Sequence, residues 1–159
     1  MAPPAAFVMP PLPSGRWLDA DGRVIAYGNR WGMGSPPDEA YSVTSNTERY
    51  APLHDVADAL VAHLLAEYDC AAEAEPTASS GTKELRALRV RPVGGGTGIR
   101  FAWTAFPGVL ADLGGEVPEA APMCGCDACD ESLERAAAQF CDRVLAHVSG
   151  STAWSRRAD

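Results

Sequence analysis

Lysine is almost absent from this chain: Lys83 is the only one among 13 basic residues, against 21 acidic residues and a net charge of -8. A protein that grips a nucleic-acid backbone presents a positive field, so this balance argues against nucleic acid as a partner. An acidic surface suits a basic protein partner instead. No apolar run approaches the roughly 20 residues a membrane helix needs, which argues against a membrane role. The first 13 residues contain no basic residue, and Pro3, Pro4, Pro10, Pro11 and Pro13 interrupt them. That pattern fits neither a secretory leader nor an anchor, and the expected location is the cytoplasm. Serine-nucleophile elbows, phosphate-binding Walker loops and paired zinc-protease histidines are all missing. Gly94 to Gly98 is not a dinucleotide loop, because its glycine spacing fails and no helix follows.

What remains is a chain with 47% hydrophobic residues, enough for one domain with a core. A mobile proline-rich arm over 1–15, one domain over 16–150 and a polar tail over 151–159 are expected. Asp19-Ala20-Asp21-Gly22 between two apolar runs reads as a β-hairpin. A short helix is predicted after Ser35-Pro36-Pro37-Asp38. The strongest helix spans about 52–69, where Leu53, Val56, Ala57, Leu60, Leu64 and Tyr68 share one face. Residues 70–83 break every period and read as a flexible loop open to proteolysis. Alternation at Leu88 to Pro92 and Ile99 to Thr104, followed by Val109 to Leu113, predicts a three-stranded meander. A last helix is predicted over about 130–148, with Asp130 and Glu131 at its positive end and Gly150 as its stop. Cys141 falls on its buried stripe, and His147 lies in its last turn. The fold class is α+β: a two-layer sandwich, with two main helices on an antiparallel sheet made of the N-terminal hairpin and the meander.

The chemistry concentrates in Cys124-Gly125-Cys126-Asp127-Ala128-Cys129-Asp130-Glu131, which holds three of the five cysteines. Three readings compete. Cys124, Cys126 and Cys129 could ligate zinc from one tight turn, with Gly125 permitting the bend. A structural zinc wants a fourth ligand. Cys141 lies about 15 Å along the helix from Glu131, and His147 farther, so neither reaches the helix start. His54 is preferred, because it sits at the start of its helix; Cys70, a local carboxylate or water are the other candidates. In the second reading, Cys126 and Cys129 form a redox dithiol before a helix, although Asp127, Asp130 and Glu131 disfavour a thiolate. In the third, the cysteines pack as small reduced apolar residues.

Tyr27-Gly28-Asn29-Arg30-Trp31 is the other notable loop. Arg30 and Trp31 are candidate binding residues, with hairpin packing as the simpler explanation. This loop, Ser35-Pro36-Pro37-Asp38-Glu39-Ala40-Tyr41-Ser42, Pro52-Leu53-His54 and the cysteine motif together resemble a family of small actinobacterial proteins classed as a domain of unknown function. The resemblance runs from about Tyr27 to Gly150. It implies a bacterial cytoplasmic single-domain protein and no particular activity. The expected function is therefore a non-enzymatic binding or regulatory module, stapled by zinc and meeting a protein partner. The alternatives are a thiol redox enzyme using Cys126 and Cys129, or an acidic inhibitor of a basic protein.

Overall fold

Helix α1, Leu53–Glu67, forms where the apolar stripe predicts it, and Leu53, Val56, Ala57, Leu60, Val61 and Leu64 are buried. Helix α2, Leu133–Ser149, buries Leu133, Ala136, Ala137, Phe140, Cys141, Val144 and Val148. The computed structural model describes residues 5–158; Met1 to Pro4 of the arm and Asp159 of the tail lie outside them. Both helices share one apolar core with a five-stranded antiparallel sheet in the order β1-β2-β3-β4-β5. Its strands are β1 Cys70–Glu75, β2 Glu84–Pro92, β3 Ile99–Thr104, β4 Gly108–Asp112 and β5 Glu119–Ala121. Cross-strand pairs Val90–Ile99, Leu88–Phe101, Phe101–Ala111, Trp103–Val109 and Val109–Ala121 carry the core side of the sheet. Short antiparallel connections make this meander, and the α+β two-layer architecture follows.

The other side of the sheet is charged. Arg89 and Arg100 face each other across β2 and β3, a like-charge pairing that would repel. Glu75 stands between them, 2.5 Å from Arg89 and 3.0 Å from Arg100, and Glu84 lies 2.7 Å from Arg100. These contacts hold the carboxyls of Glu75 and Glu84 below the usual range, chiefly through the Arg89 and Arg100 hydrogen bonds respectively.

Several expectations change. Residues 70–75 are not loop but the edge strand β1, paired along its length with β2. Their Ala-Glu composition has poor strand propensity, and the ladder with β2, reinforced by the Glu73 and Glu75 ion pairs, overrides it. The Asp-Gly turn forms, with Asp19 Oδ1 accepting from the Asp21 and Arg23 N–H groups. Its arms, however, make only an isolated Leu18–Val24 bridge and stay outside the sheet. Leu18 and Val24 are exposed, while Ile25 on the other side of the hairpin is buried. The arm is tied down: Phe7, Met9 and Leu12 pack against the core. The tail folds back as well, with Trp154 buried edge-on to Tyr68. The short helix is a 3-10 turn, Asp38–Ser42, without a side-chain cap.

Candidate metal centre

The cysteine loop runs from β5 to α2. The Cys124 and Cys126 sulfurs are 3.3 Å apart, and so are those of Cys126 and Cys129. All three lie within 4.8 Å of one another. At about 2.3 Å per bond, tetrahedral zinc would set its sulfurs about 3.8 Å apart, so the trio needs only small adjustments to hold such an ion. The thiols are free; Cys124 and Cys129 are exposed and Cys126 is half-buried. The Cys126 thiol is shifted down, first by the backbone N–H of Cys129 and then by the Cys124 thiol. The Cys129 thiol is pushed up to about 12, first by Cys124 and then by Cys126. The Cys126 thiol is thus easier to ionise than an ordinary cysteine, while crowding holds the proton on Cys129, a situation a cation would relieve.

The turn has this shape for identifiable reasons. A Cβ on Gly125 would sit 2.4 Å from Phe106 Cζ, so the Cys124-Gly125-Cys126 backbone lies against that ring. Glycine is needed here for space. Three carboxylates then clamp the loop. Asp127 is buried and accepts from the Ser45 N–H and Ser45 hydroxyl, both at 2.7 Å, with Arg30 Nη1 at 3.3 Å. Asp130 adopts φ 50 and accepts from the Gly28 and Arg30 N–H groups at 3.0 and 2.7 Å. Buried Glu131 accepts from the Met123 and Cys124 N–H groups at 2.8 and 3.2 Å. Its carbonyl takes hydrogen bonds from Arg49 Nη1 at 2.6 Å and Tyr50 Oη at 2.7 Å. Arg49 itself is buried between the rings of Tyr27 and Tyr50, at 3.6 and 4.0 Å.

Asp130 and Glu131 are therefore not the first turn of α2. That helix starts at Leu133, and Ser132 caps it by accepting from the Arg135 N–H. The acids expected to disfavour a thiolate are turned toward backbone N–H groups, the Ser45 hydroxyl and Arg30. All three acids stand in the sequence, but the partners of Asp127 and Asp130 lie some 80 to 100 positions away, while the Glu131 carboxylate turns back to Met123 and Cys124.

His54 does not join the cluster. Its Nε2 faces the carbonyls of Thr104 at 3.2 Å and Gly108 at 3.1 Å. Cys70 is buried with its thiol on the Leu64 carbonyl. Cys141 is buried on α2, and burial pushes its thiol up to about 12. Among the described residues no histidine, aspartate, glutamate or further cysteine brings a fourth ligand atom into the group. Arg30 and Trp31 lie against the loop: the Trp31 indole N–H donates to the Asp127 carbonyl at 3.0 Å, and Arg30 stacks on Trp31 at 4.7 Å.

Fold and site together define a small α+β domain that presents a surface trio of cysteines on a carboxylate-clamped loop. The chain belongs to a family of unknown function, DUF6226, which matches residues 13–159. Comparison with curated proteins and with solved structures yields no match. No helix among the described residues is long and apolar enough to cross a membrane.

Proposed function

We propose that this chain is a non-enzymatic binding or regulatory module of the cytoplasm that carries zinc on Cys124, Cys126 and Cys129. One observation carries the reading: three free sulfurs converge within 4.8 Å on a single loop. Thiolates select zinc and other soft or borderline ions. A protein partner, met by the acidic surface and by the loop around Arg30 and Trp31, belongs to the same proposal. Zinc titration of the reduced protein against a chromogenic chelator tests it. One equivalent should bind, and changing all three cysteines to serine should abolish binding.

A second reading is supported by the lowered Cys126 thiol beside Cys129: a dithiol that cycles with a disulfide. Thiol alkylation separates the two. Coordinated thiols resist the reagent until chelator is added, whereas a redox pair reacts whenever it is reduced.

A further inference from the structure

A zinc that holds a fold together is closed by four protein ligands and organises the chain around it. This loop has neither property. It offers three sulfurs, two of them exposed, and no fourth ligand among the described residues. The nearest carboxylates are already engaged: Asp127 with Ser45 and Arg30, Asp130 with Gly28 and Arg30, and Glu131 with Met123 and Cys124. Those same hydrogen bonds hold the loop's backbone, and Gly125 rests on Phe106. The ligands are arranged by protein hydrogen bonds, so the ion has little folding left to drive.

From this we infer that the centre is an open, exchangeable three-thiolate site, completed from outside the chain by a neutral nitrogen donor of the imidazole class. The inference rests on the metal reading above. Charge selects the donor. Three thiolates on a dication leave the centre at -1, beside three acidic residues against which stand two arginines, Arg30 at Asp127 and Arg49 at the Glu131 carbonyl, so the surroundings stay negative. An anionic fourth ligand would add a further negative charge in a chain whose net charge is already -8. Imidazole adds none and suits zinc and cobalt alike. Exposure of Cys124 and Cys129 leaves the open vertex within reach of solvent.

The test uses the full chain loaded with one equivalent of cobalt(II), which reports its coordination in the visible spectrum. Imidazole, N-acetylhistidine methylamide and thiocyanate are titrated separately, and the thermal midpoint is recorded with and without metal. The expected result is a saturable change in the cobalt bands with the two neutral donors and none with thiocyanate at equal concentration. Tighter binding of the histidine amide would point to a partner's side chain as the source, and equal binding to a free small molecule. Removing the metal should lower the thermal midpoint only by the binding linkage, an amount that grows with free metal, and should leave a folded chain with a cooperative melt. A spectrum of three thiolates that ignores imidazole would overturn the open vertex. A metal-free chain with no cooperative melt would show a fold-holding ion and overturn the inference while leaving the metal reading intact. Cobalt that fails to bind through thiolate would overturn both.

Discussion

Asp127 is the residue on which the cysteine loop most depends. Its carboxylate accepts two hydrogen bonds at 2.7 Å from Ser45 and faces Arg30 at 3.3 Å, while the residue is only 6% exposed. Hydrogen bonds to a charged group contribute about 1.5–3 kcal/mol each, and removing one partner of a buried ion pair costs about 3–5 kcal/mol. These figures overlap, because the same carboxylate supplies both. Asp127→Ala should therefore lose about 3–5 kcal/mol in urea unfolding with an unchanged m-value. Asp127→Asn keeps the shape and one acceptor and should lose about half as much, while Ser45→Ala, losing only the hydroxyl bond, should cost about 1–2 kcal/mol. The pair Asp127→Asn with Ser45→Ala should cost less than the sum by at least about 0.5 kcal/mol, because the two side chains touch. For a domain of this size the alanine variant should melt roughly 10 °C lower. An Asp127→Ala protein within about 1 kcal/mol of the parent would refute the clamp and the pre-arranged loop with it.

Other consequences follow from the same contacts. Gly125→Ala should cost about 1–3 kcal/mol by forcing the loop off the Phe106 ring, and Phe106→Leu in the same chain should recover much of that in a thermal melt. In the metal-free, reduced protein at neutral pH, iodoacetamide should modify Cys126 first and spare Cys70 and Cys141, whose thiols burial pushes up; peptide mapping reads the order. The carboxyls of Glu75 and Glu84 are held below their unfolded values. Their contribution is therefore present above about pH 4.3 and lost as pH falls through the lowered values, and Glu84→Gln should flatten that acid limb in pH-dependent unfolding. Burial shifts His63 down, so it opposes protonation in the fold. Stability should drop as pH falls below about 6.5, and His63→Gln should lessen that drop.

Local patterns were legible in the sequence and distant partnerships were not. The stripe from Leu53 to Leu64 announced α1, and the alternation around Ile99, Phe101 and Trp103 announced the centre of the sheet. Strand β1 escaped notice because alanine and glutamate carry no strand signal; Arg89 and Arg91 on the neighbouring strand supply the reason for it. The start of α2 was misplaced because Asp130 takes a left-handed conformation to reach Gly28 and Arg30, a contact across some 100 positions. Convergence of the three sulfurs was readable because their spacing is short. His54 was the wrong choice for a fourth ligand because the carbonyls of Thr104 and Gly108 engage its ring. The sequence suggests a bend at Gly125; in the fold, its missing side chain is what lets the loop lie against Phe106.

The most direct test of the metal centre is elemental analysis of the protein purified under reducing conditions, paired with the same analysis of a variant carrying Cys124→Ser, Cys126→Ser and Cys129→Ser. The account predicts about one zinc per parent chain and none in the variant, with both proteins folded. A parent chain free of metal, and still unable to take up zinc when it is supplied, would contradict it.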